Sequence, residues 1–337
     1  MKASRRFAGL AVLLLLLASC EESFSPKTPF RRVPILYCVL EADYKRLPGE
    51  QQVVLSSTYD VTGYDPSTNS IDPAIRGAKI ELQVHDRQYT LVESTAPRSD
   101  TLRYKTPQVF YIGTDVLLYP FDTITITAVL PDGSVLSAQS YVPSPSGIAT
   151  SPQILPQGFT TKVNRSTQGS SFIVDWDNAV AEEHLVFPSL SIGYRVRTPL
   201  GDIIRVNQVP LRYVQRAGTP VPVFPSYQTE KVCVYEFDAI DEVMREISGG
   251  DPHKESYIIT GMDFDLTEFD FPLSRFYASV NGYLDQYSVR LDESVFTNIR
   301  GGIGVFGCRM DSRWGFKLDK RYIESFGYRA LESAMSK

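Results

Sequence analysis

Polar and apolar residues alternate strictly from Ala78 to His85, so Ala78, Ile80, Leu82 and Val84 share one face of an extended strand. The same reading predicts a mostly apolar strand from Val33 to Glu41 and another from Gln51 to Tyr59. Gln88 to Glu93 follows Ala78–His85 after a tight turn, which makes the two a hairpin. Phe121 to Leu130 is β-branched and alternating, and Pro131-Asp132-Gly133 turns it into Val135 to Val142. A polar loop, Asp60 to Pro73, carries Gly63, Asp65-Pro66 and Asp72-Pro73 as breakers. About seven short strands without a helix-period segment predict an immunoglobulin-like β-sandwich over residues 33–142.

A Pro/Ser-rich stretch, 143–158, reads as a linker to a second unit over 159–337. That unit opens with strands at Ser171–Trp176, Leu190–Arg197, Ile203–Gln208 and Lys231–Phe237. Helices are expected near 238–248, with Ile240, Val243, Met244 and Ile247 on one face and Gly249-Gly250 closing it, then at 274–286 and 320–335. The fold class is therefore mainly β: a sandwich plus a β-rich unit with a few helices.

The first twenty residues follow a different pattern. Lys2, Arg5 and Arg6 precede an apolar run from Phe7 to Ala18, too short for a stable bilayer span, so residues 1–19 read as a signal peptide. Leu17-Ala18-Ser19-Cys20 resembles the bacterial lipobox, which implies cleavage before Cys20 and its acylation. Several acyl chains anchor a protein durably, at about 0.8 kcal/mol per buried CH₂. Residues 20–32 would be the lipidated tether, and Glu21-Glu22 resembles the export signals of surface-exposed lipoproteins in Bacteroidota. The expected place is the outer membrane, facing the cell surface, with the periplasmic face as the alternative.

The chain carries 34 Lys and Arg against 39 Asp and Glu, and loss of the leader would take the net charge from −5 to −8. That balance argues against nucleic acid and against docking on anionic lipid. Besides Cys20 there are Cys38, Cys233 and Cys308; Cys38 reads as a buried hydrophobe, and a Cys233–Cys308 disulfide is open in an oxidising compartment. There is no CxxC, HxH, HExxH or GxSxG pattern, and His85, His184 and His253 read as surface or strand residues. No cofactor is expected. Asp263, Asp265, Glu268 and Asp270 are calcium candidates, although aromatics inward and acids outward on an exposed strand explain them more simply.

Gly302-Ile303-Gly304-Val305-Phe306-Gly307 matches GxGxxG, but it reads as a strand with no helix start after it, so a dinucleotide site is not expected. A glycine-rich strand under close packing accounts for it. Phe296-Thr297-Asn298-Ile299-Arg300-Gly301-Gly302-Ile303-Gly304-Val305-Phe306-Gly307 resembles the C-terminal signature of the domain-of-unknown-function 4249 family, lipoproteins of Bacteroidota. Asn298, Ile299, Gly301, Gly302, Gly304, Phe306 and Gly307 occupy its fixed positions. Leu55-Ser56-Ser57-Thr58, Gly77-Ala78-Lys79-Ile80 and Pro131-Asp132-Gly133 resemble earlier family segments. The family has no assigned catalytic residues. The resemblance implies a non-enzymatic accessory protein of an envelope complex, near a TonB-dependent transporter or another outer-membrane β-barrel. The alternative is a surface module that binds glycans or peptides through some of the 19 tyrosines.

Overall fold

A computed structural model describes residues 30–43, 45, 47–60, 71–98, 104–151, 162–163, 171–177, 184–281 and 296–331. The expected signal peptide, Cys20 and most of the expected tether lie outside the described residues. The fold is mainly β, as its sequence periodicity predicts.

Seven strands form the N-terminal sandwich: β1 (Pro34–Asp43), β2 (Gly49–Ser57), β3 (Lys79–Val84), β4 (Arg87–Ala96), β5 (Gln108–Val116), β6 (Thr123–Val129) and β7 (Val135–Tyr141). Their hydrogen-bonded order is β1-β2-β5-β4 on one side and β3-β6-β7 on the other, with β4 also pairing β3. That is the strand order of an immunoglobulin-like sandwich. The alternation read from the sequence sets the inner face: Ile80, Leu82 and Val84 meet Leu36, Cys38, Leu40, Leu55, Ile124, Ile126 and Leu136 in one core.

Residues 147–151, inside the expected linker, form a strand, β8 (Gly147–Ser151). After β9 (Lys162–Val163), β10 (Ser171–Asp177) pairs with β8 and with β15 (Val232–Glu236) in a small three-stranded sheet. β11 (Val186–Thr198) and β12 (Gly201–Val209) form a hairpin, and β13 (Arg212–Arg216) and β14 (Thr219–Val223) form another. α1 (Phe237–Glu246), β16 (Tyr257–Phe269), α2 (Phe271–Asn281), β17 (Ile303–Leu318), α3 (Lys320–Ser325) and β18 (Arg329–Ala330) follow.

The second half is not separate from the sandwich in hydrogen bonding. β17 runs parallel to β1 from Ile35↔Ile303 to Asp43↔Asp311, and β16, β11 and β12 continue the same sheet outward. The even-numbered side chains of β17 serve two cores in turn. Phe306, Cys308 and Met310 enter the sandwich core; Phe316 and Leu318, with Trp314 against them, enter the core of the second half. In β16 a bulge opposite Gly193/Tyr194 shifts the phase, so Tyr257 and Ile259 face that core before it, and Met262, Phe264 and Leu266 after it.

Two helix expectations hold in place and differ at the ends: α1 runs 237–246, and α2 starts at Phe271, with 282–286 outside the described residues. The third is corrected. Asp319 caps α3 by accepting hydrogen bonds from the Arg321 and Tyr322 amides (2.8 and 3.3 Å), but the helix ends at Ser325. Gly327 takes φ +89°, and Tyr328 is buried with its hydroxyl accepting from the Ser248 amide (3.2 Å). Burial of Tyr328 and pairing of Arg329 with Ile258 outweigh continuation of an imperfect apolar stripe. Residues 332–335 are outside the described residues.

Candidate functional site

The signature residues come together at the start of β17, which pairs alongside β1 and packs against β7 and α2. The Asn298 side-chain amide donates to the Phe306 carbonyl (2.7 Å), and its carbonyl accepts from the Phe306 amide (3.0 Å). This clamp lets the chain fold back on itself before β17 begins. Ile299 is buried in the sandwich core, and Phe306 is fully buried beside it. The glycines have steric causes. A Cβ on Gly301 would sit 2.3 Å from the Val135 carbonyl oxygen, on Gly302 2.5 Å from that of Pro34, and on Gly304 2.0 Å from that of Leu36. On Gly307 it would meet Leu273 at 2.5 Å and Asp270 at 2.7 Å. The GxGxxG run is thus the start of a strand packed against backbone, with no helix after it to receive a pyrophosphate.

The four calcium candidates do not gather. Asp263 and Asp265 lie on the outer face of β16, where Asp265 pairs with Arg313. Glu268 and Asp270 follow the phase of Phe264 and Leu266 and point inward, 2% and 0% exposed. No three His, Cys, Asp or Glu among the described residues are placed to hold a metal ion. The expectation that these acids face outward is therefore corrected for two of the four. Parity along the strand, 264-266-268-270, is the signal that distinguishes them.

Both buried carboxylates fasten β16 to the exit of the sandwich. Glu268 accepts from the Ser146 amide (3.0 Å) and hydroxyl (2.6 Å). Asp270 caps α2 by accepting from the Leu273 amide (2.9 Å), and it also accepts from the Cys308 amide (2.6 Å) and the Ser140 hydroxyl. Burial pushes each carboxyl up to about 7, against the pull of these hydrogen bonds. Nearby, His184 contacts the Phe269 carbonyl at 2.9 Å and the Tyr141 hydroxyl at 3.0 Å. Ser140, Asp270 and His184 do not form a relay, because His184 engages Tyr141 and the backbone rather than Ser140. His85 lies in the β3–β4 turn, and exposed His253 contacts Glu255.

The disulfide expectation is also corrected. Cys38, Cys233 and Cys308 are all free and buried. Cys233 belongs to the core of the second half, whereas Cys308 lies in the sandwich core with Cys38. Burial pushes the Cys233 thiol up to about 11 and raises the other two as well, so none is a ready nucleophile. Many of the aromatics are structural too. Phe276 and Tyr277 of α2 pack with Tyr227, Phe269 and Phe187, with Tyr227 and Tyr277 stacked at 5.5 Å.

An exposed surface lies at the far end of the large sheet. β12 is an edge strand: among the described residues its backbone pairs only with β11. Ile204 and Val206 are 73% and 60% exposed, and Leu200, in the turn before it, is fully exposed. The opposite edge, β7, is covered at one position, by reciprocal backbone bonds between Ser137 and Arg300. Beside β12 lies a groove of about 920 Å³ between the β13–β14 hairpin and α1. Asp238, Glu242 and Glu246, spaced i, i+4, i+8, form its helical wall, with Glu236 at the foot and Arg245 as the one base in the lining. Tyr213, Pro220, Pro222 and Phe224 form the opposite wall. Burial, then Glu246 and Glu242, raise the Tyr213 hydroxyl above its ordinary range.

No protein-family model matches this chain, and no curated protein matches it.

Proposed function

We propose that this chain is a lipid-anchored, non-enzymatic accessory subunit of an outer-membrane protein complex. Its leader and Cys20 give the anchor, and its β-rich body meets a protein partner, such as a TonB-dependent transporter or another outer-membrane β-barrel. The observation that carries the reading is the open apolar edge on β12, which has no backbone partner beyond β11 among the described residues, whereas the β7 edge is bridged by Arg300 at Ser137. Long exposed apolar edges are pairing sites that monomeric proteins normally blunt. No helix among the described residues is long and apolar enough to cross a membrane.

Two measurements test the reading. Cys20→Ala should move the protein from the membrane fraction to the soluble fraction and abolish incorporation of labelled fatty acid. Membrane retention without acylation would count against the anchor. Extraction in mild detergent should preserve a complex with an outer-membrane protein; a body that migrates alone at every detergent concentration would count against the accessory role.

A further inference from the structure

We infer that β12 and the acidic groove beside it receive an extended, basic segment of a partner protein, which adds as a strand to the sheet. The inference rests on the accessory-subunit reading and specifies its contact.

The backbone supplies the first part. Pro199 and Leu200 are a two-residue turn between paired Thr198 and Gly201. In an antiparallel hairpin this sets the phase of the bonds: residues opposite 196, 194 and 192 bond inward, and Asp202, Ile204, Val206 and Gln208 aim their N–H and C=O groups outward. A strand laid along them gains main-chain bonds whatever its sequence. The apolar side chains at 203, 204 and 206 provide area for alternate side chains of the incoming strand.

The charge supplies the second part. The groove lining holds four carboxylates and one guanidinium, and that guanidinium is already bound to Glu242. Val206, Asn207 and Gln208 border both the strand edge and the groove, so a strand docked on β12 passes directly beside the acidic helical wall. Lys or Arg side chains fit there, with their stems against Pro220, Pro222 and Phe224 and their heads toward Asp238, Glu242 and Glu246. The net negative charge of a second copy of this chain, like that of an anionic membrane, opposes docking against this acidic wall.

The test uses the full-length chain in mild detergent and a fluorescent nine-residue peptide alternating Lys and Val, read by anisotropy. A matched Glu/Val peptide should bind at least about tenfold more weakly. Val206→Pro, which removes an outward N–H at an edge position where proline is tolerated, should weaken the Lys/Val peptide roughly tenfold. Glu242→Lys and Glu246→Lys should each weaken it up to roughly fivefold. Equal affinity for both peptides, or no response to these changes with an unaltered circular-dichroism spectrum, would overturn the inference. So would a dimer in sedimentation that Val206→Pro dissolves, or binding to anionic vesicles in place of the peptide. Because Cys20 plays no part in peptide binding, a Cys20→Ala chain should bind equally well, so failure of the anchor and failure of the contact are told apart.

Discussion

Single residues in the signature are fixed by contacts that leave no room for a methyl group. Gly304 combines φ +118° with a 2.0 Å approach to the Leu36 carbonyl oxygen, so Gly304→Ala must displace β1. It should cost more than about 3 kcal/mol of stability in urea unfolding, whereas Gly133→Ala, with φ +84° and open space around it, should cost only about 1 kcal/mol. Equal costs would mean that the close approach does not matter. Glu268 and Asp270 differ in how they tolerate neutral substitutes. An amide at 268 can still accept from the Ser146 amide and donate to its hydroxyl, so Glu268→Gln should be nearly neutral. At 270 one carboxylate oxygen accepts from both Ser140 and Cys308, so Asp270→Asn leaves a buried donor facing a donor and should cost about 1–3 kcal/mol. Both acids have folded pKa values raised above the unfolded ones. The folded state therefore holds more protons between about pH 4 and 7, and stability contributed by the neutral acids falls as pH rises through that window. Each contributes roughly 3–4 kcal/mol at most. Glu268→Gln should flatten part of this slope in denaturation midpoints taken from pH 4 to 8.

At the scale of elements, local alternation was a good guide where it was strong. β3, β4, β6 and β7 fall within two or three residues of the alternating runs, because each packs one face on a single core. β13 and β14 escaped because Pro220 and Pro222 break a strand reading; a two-stranded hairpin tolerates them at positions that need no N–H. β17 was legible only at its glycine-rich start. Its continuation also alternates, Cys308, Met310, Trp314, Phe316 and Leu318 against Arg309, Asp311 and Arg313, but Ser312 breaks the apolar face. Those charges sit on the outer face, with Arg309 bonded to Glu41 and Arg313 to Asp265. The partner of β17 could not be read at all: β1 lies over 260 residues away, and no local pattern encodes a parallel pairing at that separation. The candidate surface was equally hidden. The strand reading of Ile203–Gln208 was correct, but whether a strand is an edge depends on tertiary order, not on periodicity.

For the whole molecule, the shared face of β17 ties the two cores together. Trp176 and Trp314 report on the second core, and Cys38 on the sandwich core. Tryptophan fluorescence and Cys38 alkylation should therefore give the same urea midpoint. Two separated midpoints would show that the halves unfold independently despite their common sheet. In the proposed complex the partner binds at the open edge of this sheet. The most direct test of this contact is a photo-crosslinking residue placed at 204 in cells, with the same residue at exposed Glu81 on β3 as the control. One discrete adduct with an outer-membrane protein is expected from position 204, absent from position 81 and lost with Val206→Pro. No adduct from 204, or the same adduct from both positions, would contradict this contact.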